Sequence, residues 1–170
     1  MTEPRSVAAD GNIRVSFVAA IAVPTLPEVG ELNAGTDITR YLTGDGFNHS
    51  TEQEEIADRR LSSTQTLQRP GRITDTVDLM YVYQAQGPIS PADDNQAQED
   101  LDEGANGFLV ARYGEPYSTT FAVADVVDII PVTCGVQRKM PQEANSVQRI
   151  AQRLFVRETV LRNEVVVADT

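Results

Sequence analysis

The chain contains no tryptophan and only one cysteine, one histidine and one lysine. Cys134, being alone, forms no intramolecular disulfide and no cysteine-rich metal site. Set between Thr133 and Gly135 in an apolar run, it reads as a small buried hydrophobe. His49 is the single position at which histidine chemistry is possible, and between Asn48 and Ser50 it is expected in a solvated polar loop. A glycine-rich phosphate loop, a Gly-x-Ser-x-Gly elbow and a His-Glu-x-x-His pair are all missing. The longest apolar stretch, Val15 to Val23, contains Ser16 and is too short to span a bilayer. The opening MTEPRSVAADG lacks the apolar segment of a secretory leader. These absences argue against an enzyme, a cofactor or metal protein and a membrane protein. They favour a soluble protein made in a reducing cytoplasm.

At 170 residues and 41% hydrophobic content, one domain with a real core is expected. Nine prolines and eleven glycines, spread through the chain, suggest a loop-laced β protein rather than a helical bundle. The formal charge of −11, from 25 acids and 14 bases, opposes binding to nucleic acid or to an anionic membrane.

Residues 1–11 read as a flexible arm. From Asn12 to Ala22 the chain alternates, with Ile13, Val15, Phe17, Ala19 and Ile21 on one face, until Pro24 and Pro27 interrupt the strand. Residues 28–57 lack strong periodicity and read as a long irregular connection, of the kind that often carries function. Between Asp58 and Gln84 the pattern predicts two strands turning at Arg69-Pro70-Gly71-Arg72. In the second, Ile73, Val77, Leu79 and Tyr81 share a face, and Thr74, Thr76 and Asp78 share the other. The first offers Ser62, Thr64, Thr66 and Gln68 in the same rhythm. Such a short, hydroxylic and lightly acidic face suits a wall past which something slides, although an ordinary solvated sheet face has the same composition.

Ser90-Pro91-Ala92-Asp93 carries the signals of a helix start, and Gly104 those of a stop, predicting a helix over 91–103. Its acids fail calcium-loop spacing and read as a solvated face. Strands follow at Gly107 to Tyr113 and Ala124 to Gln137, while Ser146 to Glu158 fits either a strand or a helical stripe. Phe17, Val77, Leu79, Tyr81, Val127, Ile129 and Leu154 are the expected core. The basic residues Arg138, Lys139, Arg149, Arg153 and Arg157 are expected to meet acids of a neighbouring subunit rather than nucleic acid.

Several motifs in fixed order resemble the major tail proteins (tail tube proteins) of long-tailed bacteriophages, in the form common in phages of actinobacteria. They are Glu31-Leu32-Asn33-Ala34-Gly35-Thr36-Asp37-Ile38-Thr39, Tyr41-Leu42-Thr43-Gly44-Asp45-Gly46-Phe47, Arg59-Arg60-Leu61 and Thr64-Gln65-Thr66. Beyond Pro70-Gly71 they continue as Gly104-Ala105-Asn106-Gly107-Phe108, Arg112-Tyr113-Gly114 and Cys134-Gly135-Val136-Gln137. The likeness spans about residues 12–157, and each motif is a turn or strand edge rather than a catalytic signature.

The resemblance implies a mainly β sandwich or partial β-barrel with one packed helix. Six copies would form a ring, and rings would stack into a hollow tube in the virion tail. That tube would enclose the tape measure protein, meet tail terminator and tail-tip proteins, and conduct DNA without reading its sequence. Within the domain at 12–158, residues 33–57 would be a stacking loop, the last segment would be a strand, and 159–170 would be an extension. The lumen would be lined by Ser62, Thr64, Thr66, Thr74, Thr76 and Asp78. Two other readings stand beside this one: a monomeric cytoplasmic β-barrel binding module with an apolar pocket, and a small hydrolase using the acids at 93–103. The size of the native particle separates the first two.

Overall fold

In the computed structural model, residues 6–62, 64–86 and 95–169 are described. The strands are β1 (Ile13–Val18), β2 (Thr36–Asp37), β3 (Leu42–Asp58), β4 (Leu67–Val82), β5 (Asn106–Tyr113), β6 (Val126–Lys139), β7 (Arg149–Val156) and β8 (Leu161–Val165). Two short helices, α1 (Val29–Ala34) and α2 (Gln96–Asp100), complete the elements. One antiparallel sheet runs β2-β1-β5-β6-β7-β4-β3, and β8 pairs with the start of β6. The sheet curls into a half-barrel because β6 serves two layers. Its first half pairs with β5, its second with β7, and a register shift separates Cys134 from Gln137.

The inside of the curl is filled by side chains. Val77, Leu79 and Tyr81 of β4 and Ile150 and Leu154 of β7 pack against Val15 and Phe17 of β1, with Leu109, Ile130 and Cys134. A second cluster lies on the far side of β1, β5 and β6, where Val18, Phe108, Val110, Val127 and Ile129 meet Leu32 of α1, Phe121 and Val166. β1 and β5 are therefore covered on both faces, so Arg14 and Ser16, expected outward by alternation, are buried too. All seven expected core residues are buried, from 0% exposure for Val77 to 6% for Phe17. β1 is shorter than its pattern, ending at Val18; Ile21 still reaches the second cluster, from a loop.

Residues 42–58 correct the expected long connection, including the part of 33–57 they occupy: they form β3, a 17-residue strand. Its second half is polar on both faces, so it carries no alternation for a periodicity argument to find. Likewise Arg69-Pro70-Gly71-Arg72 is not a turn but lies inside β4, with Pro70 opposite Glu55 beside a bulge in β4, where Gly71 and Arg72 together stand opposite Glu54. Pairing of β4 with β7 begins only at Val77, so among the described residues β3 is the one strand paired with β4 around Pro70, where a missing N–H is tolerated. Gly71 fits the bulge because a Cβ there would stand 2.9 Å from the Glu54 carbonyl oxygen. The chain reverses between Asp58 and Leu67 instead.

Ser146 to Glu158 resolves as β7, a strand. Of the expected helix over 91–103, the described part is α2, one and a half turns ending at Asp100; residues 91–94 lie outside the described residues. Gly104 has φ of +83° in the turn beyond. α1 was not expected, because six residues carry too little periodicity. Residues 161–165 pair with β6, Val166 is buried, and the Asp169 carboxylate accepts from the Gly30 N–H at 2.6 Å. The expected C-terminal extension is thus part of the fold.

Candidate functional site

Strands β3, β4, β7 and the second half of β6 present one face to the core and leave the other uncovered. On this open face β4 places Thr74, Thr76, Asp78 and Met80, because Val77, Leu79 and Tyr81 take the alternate positions inward. β3 contributes Asn48, Ser50 and Glu52, opposite Asp78, Thr76 and Thr74. β7 adds Ala151, Arg153 and Phe155, and β6 adds Val136 and Arg138. Asp78 stands across from Arg153 and forms an ion pair at 3.2 Å. Phe155 and Val136, each 58% exposed, make an apolar spot beside these charges. A depression of about 770 Å³ runs over this surface, from Asp45 and Asn48 to Arg138 and Phe155.

Of the six residues expected together, Thr74, Thr76 and Asp78 share this face. Ser62, Thr64 and Thr66 do not; they lie in the exposed connection between β3 and β4. The correction follows from the displaced turn: moving it from 69–72 to 59–66 makes Asn48, Ser50 and Glu52 the cross-strand partners. The face also carries both charge signs, so the acid excess of the whole chain is not a property of this wall.

Beyond His49 and Val77 the pair β3–β4 leaves the sheet as a two-stranded ribbon. Its base is tied to the body at Asp75. The His49 ring, expected in a loop, lies in β3 with Nε2 3.0 Å from Asp75 Oδ1. Thr51 donates its hydroxyl to the same oxygen at 2.5 Å, and Arg162 of β8 donates to it at 2.6 Å. Burial acts to raise the Asp75 carboxyl's pKa, but the Thr51 and His49 hydrogen bonds and the Arg162 charge outweigh it and leave it below the usual value. Along the ribbon Ile56, Leu67 and Ile73 are more than half exposed; Ile73 shares the face of Val77 but lies past the end of the core.

Behind the open face a buried polar hub fixes its position. Gln152, 1% exposed, accepts from the Tyr81 hydroxyl at 2.9 Å and donates to the carbonyls of Leu101 (2.7 Å) and Gly135 (2.8 Å). Gln137 donates to Gln98 and Leu101 carbonyls, so the two glutamines dock the end of α2 on the sheet. Burial pushes the Tyr81 hydroxyl's pKa well up and that of the Cys134 thiol to about 11, consistent with a structural, unreactive cysteine. Arg112 plays a similar part in the other layer: it donates to the Thr119 and Thr120 carbonyls, pairs with Asp125 at 2.9 Å and lies over the Phe121 ring. Of the basic residues expected to seek a neighbour, three are paired within the chain: Arg149 with Glu143, Arg153 with Asp78 and Arg157 with Glu158. Among the described residues no group of three or more His, Cys, Asp or Glu is arranged to hold a metal ion. No helix among them is long and apolar enough to cross a membrane.

An open strand face, a protruding ribbon and a filled interior are features of a building block, and comparison with known proteins agrees. The family model described as phage tail tube protein matches residues 1–169. The chain belongs to the phage tail tube protein family. Its role is therefore structural rather than enzymatic, as a component of the virion tail. Among solved structures, a chain of the anti-feeding prophage baseplate, from a 6-fold symmetrised cryo-EM structure, is similar at a TM-score of 0.53 and 13% identity. The likeness covers 96% of this chain and 99% of that one, and at this identity it speaks for the fold alone. No curated protein matches in sequence.

Proposed function

We propose that copies of this tail tube protein close into six-membered rings, with the open face of β3, β4, β7 and β6 turned to the axis, and that rings stack into the channel through which DNA leaves the capsid. One observation carries this reading: a four-stranded surface with a filled core behind it and none of the described residues packed in front of it. The baseplate chain with the same fold comes from a six-fold assembly, which favours the same ring size. In this reading the ribbon is the stacking element, taking the role expected of the segment at 33–57. The tape measure protein occupies the channel during assembly, and terminator and tip proteins cap its ends. Synthesis takes place in the host cytoplasm, and no cofactor takes part.

The wall so formed suits transit of a polyanion. Hydroxyls of Ser50, Thr74 and Thr76 offer weak, exchangeable hydrogen bonds, and Arg153 is neutralised by Asp78, so of the two basic side chains lining the depression only Arg138 is left to hold phosphates. A cysteine placed at Thr76 tests the orientation in assembled tubes. It should react with a small maleimide that diffuses down the channel but resist a reagent too bulky to enter. Fast reaction with the bulky reagent along the whole tube would put this face on the outer wall.

A further inference from the structure

Pairing of β4 with β7 stops at Val77, so beyond it the β3–β4 ribbon has to be aimed by something other than the sheet ladder. β7 gives no further support. Past Val156 the chain turns away, and the Arg157 N–H donates to the Pro131 carbonyl at 3.1 Å. This leaves a cleft of about 580 Å³, lined by Gly71, Ile73 and Asp75 of β4 and by the turn from Val156 to Val160. A two-stranded ribbon is marginal by itself and twists readily, so open space beside its base allows it to swing.

The Arg162 side chain, from β8, reaches the ribbon base at this cleft. It donates to Asp75 Oδ1 at 2.6 Å and to the Thr51 hydroxyl oxygen at 3.0 Å. Thr51 and His49 hold the same carboxylate oxygen, but both belong to β3. Of these three partners Arg162 is therefore the one from outside the ribbon.

Arg162 is itself aimed by an irregularity in β8. Leu161 pairs with Ile129 and Glu164 with Val127, so Arg162 and Asn163 together stand opposite Asp128. This is a β-bulge, a device that re-aims side chains. Asn163 takes φ of +60°, a left-handed setting that asparagine tolerates better than most residues. Its N–H donates to Asp128 Oδ1 at 2.9 Å, which supports the bulge from β6.

We propose that Arg162, aimed by this bulge, is a latch: by holding Asp75 it fixes the angle at which the ribbon leaves the subunit. The latch rests on the tube reading above, in which the ribbon stacks rings, and adds that a free subunit carries its ribbon already set. At about 3.3 Å per residue, Thr51 to Asp58 make a lever of roughly 26 Å, so a swing of about 20° at the base carries its end about 9 Å. With the latch cut and about one subunit in ten at the stacking angle, the apparent affinity between rings falls about tenfold.

Spin labels on Ala57→Cys in the ribbon and Glu103→Cys in the body, both exposed positions, read the angle in dilute unassembled protein; Cys134 is buried and takes no label. The otherwise wild-type protein should give one narrow distance. Arg162→Ala should widen the distribution by about 9 Å, the swing worked above. Arg162→Lys, which keeps the charge, should narrow it again, and Asp128→Ala should widen it with Arg162 still present. Urea unfolding shows that each variant is folded. Rings of Arg162→Ala should need about tenfold more protein to stack, while single rings form as in wild type. A broad distribution in wild type, or an unchanged narrow one in both Arg162→Ala and Asp128→Ala, would overturn the latch. Widened ribbons whose rings stack at the wild-type concentration would overturn its part in stacking. Wild-type protein that keeps the narrow distance but never forms tubes, even with tail partners, would overturn the tube reading and leave the latch standing.

Discussion

Gln152 is the residue whose replacement should be most informative about the wall. Its side chain is buried, and its three hydrogen bonds join β4, β7, the β6 bulge and the end of α2. Gln152→Leu keeps the volume but strands the Tyr81 hydroxyl and the Gly135 carbonyl. The Leu101 carbonyl keeps its bond from Gln137 at 3.1 Å. Two buried groups left without partners cost about 1–3 kcal/mol each, so roughly 2–6 kcal/mol is expected before any gain from added apolar surface. Burial keeps the Tyr81 proton in place across the working pH range, so the stranded group is a neutral hydroxyl, not a phenolate. The assay is urea unfolding of dilute, unassembled protein, with the m-value held as the check that the unfolded state is unchanged. Tyr81→Phe should cost less, and the double variant Tyr81→Phe/Gln152→Leu should be more stable than the sum of the two losses predicts, because each removes the group the other strands. A Gln152→Leu loss below about 0.5 kcal/mol, or simple additivity in the double variant, would refute the hub.

Three further expectations concern the ribbon and the wall. Because the folded-state pKa of Asp75 is depressed, its contribution is complete above the ordinary carboxylate value near 3.9 and is lost as pH falls through the lower folded value. The stability of Asp75→Asn should therefore vary less with pH than wild type below about pH 4, and parallel acid titrations of the two would discount the Arg162 tie. In unassembled subunits, amides of 51–58 and 67–74 should exchange faster than those of 77–82, then become protected in tubes; equal protection in the free subunit would show that the ribbon has a partner within the chain. Asp78→Arg sets a second cation beside Arg153 and should slow DNA release from intact tails, most at low salt where screening is weakest; unchanged release would remove electrostatics from the wall's role.

What the sequence disclosed was governed by contrast between faces. β4 announces itself because Val77, Leu79 and Tyr81 alternate with Thr76, Asp78 and Met80, and the core residues follow from that alternation. Residues 48–58 stayed hidden because they carry polar residues on both faces, so there is no period to detect although the chain is fully extended. Pro70-Gly71 misled for the opposite reason: a strong local turn signal was overridden by the pairing of Phe47 with Leu79 and His49 with Val77, which sets the register of the whole ribbon. Thr74, Thr76 and Asp78 were found by alternation alone, whereas their partners Asn48, Ser50 and Glu52 depend on where the chain turns back. Arg153 and Phe155 depended on knowing that β7 lies beside β4, a non-local fact that no window of sequence contains.

Cryo-electron microscopy of the assembled protein would show directly which strand face lines the channel. Hollow six-fold rings stacked into a tube are expected, with Thr74, Thr76 and Asp78 on the inner surface and the β3–β4 ribbons reaching between rings. Tubes with these side chains on the outer wall, or compact monomers at every concentration with tail partners present, would contradict this arrangement.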